Sequence, residues 1–243
     1  MRSVIVIPAR YGSTRFPGKP LTPIAGRTLI ERVYERTTAS TEAAAVYVAT
    51  DDERIAAHVT GFGGRVVSPR GDFATGTDRI AAALPLIERH EGSRFDIVVN
   101  VQGDEPLIDI TLVDGLIRRL RESDAGMATL ACPLLHEEEF LDRNVVKVVL
   151  DVDENAIYFS RAPIGSRSDS LRHIGVYAYR RESLEQFVAT PQSPLERAES
   201  LEQLRAVQHG LRIAVSRTSK PHLGVDRPED VARVEKELAR LHA

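Results

Sequence analysis

Tryptophan is absent from the 243 residues, aromatics make up 5% of them, and Cys132 is the one cysteine. A single thiol excludes an internal disulfide framework and fits a reducing compartment. No apolar run approaches the ~20 residues that a membrane span requires, and no signal-peptide pattern precedes the first apolar stretch. A cytoplasmic protein with no membrane partner is therefore expected. Few aromatics and a pI near 6.2 argue against a general nucleic-acid binder, which carries a broad basic face with interleaved rings. Lysine is also scarce, at four of the 32 cations; coding bias toward Arg and Ala explains that as well as phosphate recognition does.

What is present fits an ordinary globular chain: 42% hydrophobic and 28% charged residues, with a formal net charge of -3. The length suffices to bury a core. In the first half, short apolar runs (Val4–Ile7, Ala45–Ala49, Arg65–Val67, Ile97–Val101) alternate with stretches of helical spacing (Leu29–Thr38, Glu53–Thr60, Asp78–Glu88, Leu112–Arg121). Such alternation predicts a mostly parallel, Rossmann-like α/β sheet with helices on both faces. After about Ala125 the rhythm changes to strands without regular helices between them: Ala128–Cys132, Val145–Leu150, Ala156–Ser160 and Ile174–Tyr179. An inserted antiparallel portion, serving cover or dimerisation, is expected there. One helix is predicted from Pro194 to His209, with Ser193 as N-cap and Gly210 as stop, then a strand Arg212–Ser216 and a closing helix Pro228–Leu241.

The residues that point to chemistry begin in the loop "PARYGSTRFPGKPL". The first thirty residues hold Arg2, Arg10, Arg15, Lys19 and Arg27 and no acid before Glu31. Three of these cations share one loop at the carboxyl end of the first strand, where open parallel sheets bind ligands. Like charges about 4 Å apart repel by roughly 4 kcal/mol at a surface-like dielectric. An anion such as a triphosphate turns that repulsion into attraction. The loop's glycines match neither the dinucleotide fingerprint nor the P-loop.

Opposite this cationic loop, "VVNVQGDEP" ends an apolar run with Asp104 and Glu105, and "GVDRPED" supplies Asp226. Asp104 reads as a metal ligand, Glu105 equally as a helix cap, and Asp226 either as the N-cap of the final helix or as a second ligand. Two carboxylates facing a phosphate-binding loop suit Mg²⁺. In "ATDDERI" both Asp51 and Asp52 read as helix caps. In "ATGTDRI" Thr77 or Asp78 reads as a cap, while Gly76 amid hydroxyls reads also as a contact to a nucleobase edge.

Together, "IPARYGSTRFPGKPL", "VATDDERI", "ATGTDRI", "VVNVQGDEPLI", "IYFSRAPI", "HIGVYAYR", "SPLERAESLEQLRA" and "GVDRPEDVARV" resemble, in this order, the 3-deoxy-manno-octulosonate (Kdo) cytidylyltransferases, also called CMP-Kdo synthetases. The resemblance spans nearly the whole chain. It implies a single nucleotidyltransferase-type domain over residues 1–243: a nucleotide-binding half to about 125, a sugar-binding and dimerisation portion over 126–220, and a metal-ligand loop with its closing helix over 221–243. It implies the reaction of CTP with Kdo to CMP-Kdo and pyrophosphate, in lipopolysaccharide synthesis, by a homodimer.

The resemblance also implies roles. Arg10, Arg15 and Lys19 grip the triphosphate; Gly76, Thr77 and Asp78 recognise cytosine with Arg79 nearby; Asp104 and Asp226 hold Mg²⁺. Gln102 lies beside nucleotide and acceptor, and Arg161, His173, Tyr177, Glu202 and Gln203 surround the sugar acid. On the residues alone, His173 and Tyr177 read as packing along a strand, and Glu202 and Gln203 as exposed helix positions. The segment Gly165–Ser170 departs from relatives, which leaves a sialic-acid, amino-Kdo or sugar-phosphate acceptor as the alternative. A silent nucleotide-binding module is a further rival, against which Asp104 and Asp226 both argue.

Overall fold

A computed structural model of the chain describes residues 1–12, 16–219 and 223–241. The chain divides into two compact units, Met1–Asp114 with His222–Ala243, and Gly115–Pro221.

In the first unit, β1 (Ser3–Pro8) leads through a 3₁₀ turn at Lys19–Leu21 into a small antiparallel hairpin, β2 (Pro23–Ile24) and β3 (Arg27–Thr28). Then follow α1 (Leu29–Thr38), β4 (Ala45–Ala49), α2 (Glu53–Gly61), β5 (Val66–Val67), α3 (Gly76–Glu91) and β6 (Ile97–Asn100). The chain passes into the second unit along α4 (Ile110–Glu122). β1 pairs in parallel with β4 on one side and β6 on the other, and β4 pairs in parallel with β5. The order β6-β1-β4-β5 means that the chain builds outward from β1 and then returns to its other flank. That reversal is the switch point at which such sheets open a crevice for ligands.

Burial explains why these runs become strands: Val4 through Ile7 are each 0% exposed, and every residue of β4 and β6 is buried. Unbroken apolar sequence suits a sheet covered on both faces. The helices start where side chains replace missing backbone partners. Thr28 accepts from the Glu31 N–H at the start of α1, and Asp52 accepts from the Arg54 and Ile55 N–H groups at the start of α2. Thr75 and Asp78 form a reciprocal capping box on α3.

The second unit contains β7 (Met127–Pro133), α5 (Glu137–Leu141), β8 (Lys147–Leu150), β9 (Ala156–Ser160), β10 (Leu171–Arg180), α6 (Arg181–Ala189), α7 (Pro194–Glu199), α8 (Gln203–Gln208) and β11 (Ile213–Arg217). β11 runs parallel to β7, whereas the pairings β7 with β10, β10 with β8 and β8 with β9 are antiparallel. α9 (Pro228–Leu241) belongs to the first unit, where it buries Val234 and Leu238 and where Glu235 accepts the Ala25 N–H in the β2–β3 turn.

Two expectations are corrected. The strands after Ala125 are not free of regular helices between them, since α5 separates β7 from β8; α6, which was not expected, follows β10 directly, without a turn residue or a side-chain cap to announce it. The single helix expected over 194–209 is two helices, broken at Ser200, which sits at φ 54°. Ser193 caps the first of them as expected, through a capping box with Glu196.

A buried ion pair holds this elbow. Arg205 Nε and Nη2 donate to the two oxygens of Glu196 at 2.8 and 2.6 Å, with both side chains at most 5% exposed. Burial opposes ionisation of Glu196, but the bonds from Arg205 and the Ser193 N–H outweigh it, and the carboxyl is held below its usual range. A lowered folded pKa means that the pair's stabilisation is complete above the ordinary carboxylate range and is lost as pH falls through the folded value. Arg205→Met, which strands a buried carboxylate, is expected to cost about 3–5 kcal/mol in urea denaturation, and Glu196→Leu with Arg205→Met together to cost less than Arg205→Met alone.

Candidate functional site

At the switch point, the loop after β1 meets the loop after β6. The first loop is closed by the Gly18 N–H donating to the Tyr11 carbonyl at 3.0 Å. Gly18 has φ 71°, and a β-carbon there would lie 3.2 Å from the Tyr11 ring, so glycine serves both the turn and the close approach. Its left-handed turn delivers Lys19 into the 3₁₀ turn, where Pro20 is buried.

Lys19 Nζ then donates to Asp104 Oδ2 at 2.7 Å and to the Val225 carbonyl at 2.9 Å. The Val225 N–H donates to the Asp104 carbonyl at 2.9 Å, and Val225 is 0% exposed. One ammonium thus joins three distant segments: the β1 loop, the end of β6, and the strip leading into α9. Lys19 and Asp104 retain side-chain exposures of 14% and 30%, so the junction is partly open. Asp226, next in the chain, is exposed. At the start of α9, Asp230 Oδ2 accepts the Asp226 and Arg227 N–H groups at 3.0 and 2.9 Å.

Gly103 explains how close the two loops come. A β-carbon at this position would stand 3.1 Å from the Pro8 carbonyl oxygen and 3.7 Å from Ile7 and Ile30. Gly76, opening α3, converges on the same edge: its β-carbon would meet Pro8 at 3.2 Å and Gln102 Oε1 at 3.9 Å. The Gln102 amide donates to Asn100 Oδ1 at 3.2 Å.

Thr77 is buried, and the N-cap of α3 is Thr75 rather than Thr77 or Asp78; the Asp78 carboxylate, at the third helical position, accepts from the Thr75 N–H and hydroxyl. Arg79 is buried as well, stacked over Phe73 and paired with Asp51 at 2.6 Å. Asp52 caps α2 as expected, whereas Asp51 serves this ion pair. Arg10 is exposed directly after β1. Arg15 lies outside the described residues.

The second unit gathers most of the remaining predicted residues. The His173 ring packs edge-on to Phe159 with centroids 5.0 Å apart, and lies 5.4 Å from Tyr177. Desolvation first, then the charge of Tyr179 and Glu202, pushes the Tyr177 phenol well above its usual value, although an edge of the residue is accessible. Gln203 is buried at the start of α8, directly after Glu202. Arg161 serves the backbone: it donates to the carbonyls of Glu199 (2.9 Å), Ser200 (3.4 Å) and Arg143 (3.2 Å). It thereby ties the end of β9 to the elbow between α7 and α8.

The model of the cytidylyltransferase family matches residues 4–213. The chain belongs to the cytidylyltransferase family. The family's 3-deoxy-manno-octulosonate cytidylyltransferase from Syntrophotalea carbinolica is 50% identical over 256 residues, covering 99% of this chain and 100% of that one. An 8-amino-3,8-dideoxy-manno-octulosonate cytidylyltransferase from Shewanella putrefaciens is 45% identical over 247 residues, covering 98% and 99%. Among solved structures, CMP:2-keto-3-deoxy-manno-octonic acid synthetase complexed with CTP superposes with a TM-score of 0.90 at 40% identity, covering 99% of each chain. The α/β fold is therefore that of a nucleotidyltransferase, as the resemblance implies, and its mostly parallel first-unit sheet is what the alternation of strands and helices predicted.

For this family member, the donor set at the junction fits a hard divalent cation. Asp104 and Asp226 offer carboxylates on segments that the Val225 N–H ties together, and Mg²⁺ habitually takes one or two carboxylates along with phosphate oxygens. Among the described residues no group of three or more His, Cys, Asp or Glu is placed to hold a metal.

Sequence reasoning singled out Lys19 and Asp104, which the junction joins, but missed Val225, which acts through its backbone. Gly103→Ala tests the tight loop approach: an overpacking cost of about 1–3 kcal/mol is expected in denaturant unfolding, with weaker CTP binding by calorimetry.

Proposed function

We propose that the chain transfers a cytidylyl group from CTP to the anomeric hydroxyl of Kdo, giving CMP-Kdo and pyrophosphate. The observation that carries this reading is the Lys19 junction at the sheet's switch point, in a chain of the cytidylyltransferase family. In the reaction the acceptor oxygen attacks the α-phosphorus, the new P–O bond forms in line with the bond to the β-phosphate, that bond breaks, and the hydroxyl proton leaves to solvent. Little covalent help is needed from protein, so positioning and charge neutralisation dominate.

Each residue's part follows from its place. The Lys19 ammonium, with Arg10 and Arg15 of the same loop, neutralises the triphosphate and the departing pyrophosphate. The start of α3 at Gly76, Thr77 and Asp78, braced by the buried Arg79, receives the cytosine, and Gln102 stands beside the nucleotide. His173, Tyr177, Glu202 and Gln203 receive the sugar acid, with Arg161 holding the elbow that carries the last two. Asp104 and Asp226 would hold Mg²⁺, which supplies charge stabilisation on phosphate oxygens when bound. A homodimer working in the cytoplasm and feeding lipopolysaccharide assembly completes the proposal. The relatives' names support the acceptor, and among the described residues no helix is long and apolar enough to cross a membrane.

A second reading takes 8-amino-3,8-dideoxy-manno-octulosonate as acceptor, favoured by relatives of that name at 45% identity. Pyrophosphate release decides between them: turnover is expected with CTP and Kdo, more slowly with the amino sugar, and not with other triphosphates. Chelation by EDTA is expected to abolish turnover and added Mg²⁺ to restore it. Lys19→Met is expected to lower kcat/KM by about 10²–10³ while the thermal unfolding transition remains cooperative. Wild-type protein that releases no pyrophosphate from CTP with either acceptor would refute the proposal.

A further inference from the structure

Along an unbroken strand, residues four apart stand about 13 Å from each other. Yet the rings of His173 and Tyr177 have centroids 5.4 Å apart. The register of β10 against β7 supplies the shortening. His173 faces Ala131 and Ile174 faces Leu130, but the next partner, Thr129, is opposed by Tyr177, so Gly175 and Val176 have no partner on β7. Glycine does not impose this bulge. Gly175 has no positive φ, and nothing lies within 4 Å of where its β-carbon would be.

A hydroxyl does hold it. Thr129 is 0% exposed, and its Oγ1 lies 2.8 Å from the Val176 carbonyl, 3.3 Å from the Ile174 carbonyl and 3.0 Å from His173 Nε2. A threonine hydroxyl has one proton, and carbonyls only accept. With that proton donated to Val176, the nearer carbonyl, the contact with His173 is made by an Nε2–H donating to the hydroxyl oxygen. A single buried oxygen therefore meets both carbonyls of the bulge and the imidazole.

We propose that Thr129 is a positioning residue for the sugar acid: its hydroxyl clamps the β10 bulge so that His173 and Tyr177 form one wall, with His173 held as the Nε2–H form. This rests on the reading above that His173 and Tyr177 receive the acceptor.

The test compares Thr129→Val, which removes the hydroxyl at constant shape, with Thr129→Ser, which keeps it, and with Thr129→Ala should the valine variant fail to fold. The hydroxyl-free variant is expected to raise the KM for Kdo on the order of tenfold, the size of one lost buried hydrogen bond, with the KM for CTP within twofold of wild type. Serine is expected to restore it. Nitrogen-15 spectra of the imidazoles are expected to show His173 as the Nε2–H form in wild type and the serine variant, and as mixed tautomers in the hydroxyl-free variant. Thr129→Val or Thr129→Ala with an unchanged KM for Kdo, or with unchanged His173 signals, overturns the proposal, as does a serine variant no better than the hydroxyl-free one. Failure of wild-type protein to turn over Kdo overturns instead the functional reading, and the His173 spectra then judge the clamp alone.

Discussion

The first unit depends on one ammonium group with two partners. Lys19 sits where a parallel sheet reverses its winding, and it bonds a carboxylate from one loop and a carbonyl from another. Its charge is partly desolvated and would be costly there without partners. The surrounding sequence can be understood as what is needed to bring it there: a left-handed glycine that turns the chain, a proline that stiffens it, and a second glycine that lets the two strand ends touch.

Around that contact, the two units use polar groups differently. In the first, Lys19 and Asp104 remain partly accessible. In the second, Glu196 and Arg205 are sealed together, and Arg161 is committed to backbone carbonyls. The aromatic cluster of Phe159, His173 and Tyr177 is thereby mounted on a frame of satisfied hydrogen bonds. Rigid support of this kind is what precise recognition of a polar molecule needs.

Much of the fold was legible because its signals are local. The apolar run at Ala45–Ala49 and the amphipathic spacing of Leu29–Thr38 and Pro228–Leu241 match the observed elements residue for residue. Where long-range forces decide, the sequence was silent. Ser200 carries no breaker signal, and the break there accompanies the Glu196–Arg205 pair and the carbonyl contacts of Arg161. The bulge in β10 is invisible because the hydroxyl that holds it lies on another strand. Of the site, Lys19 stood out in a cationic loop without acids and Asp104 at the end of an apolar run, whereas Val225 contributes only backbone atoms, which any residue type carries.

The discontinuity of the first unit bears on how the protein is made. Its sheet is encoded by the first hundred residues, but the segment that gives Lys19 its second partner comes after the whole of the other unit. During synthesis, which releases the amino-terminal part first, the early unit waits with Lys19 lacking this partner until the Val225 segment emerges. A nascent chain in which that segment has not yet emerged has most of the first unit's strands and lacks the carbonyl that completes the partners of Lys19.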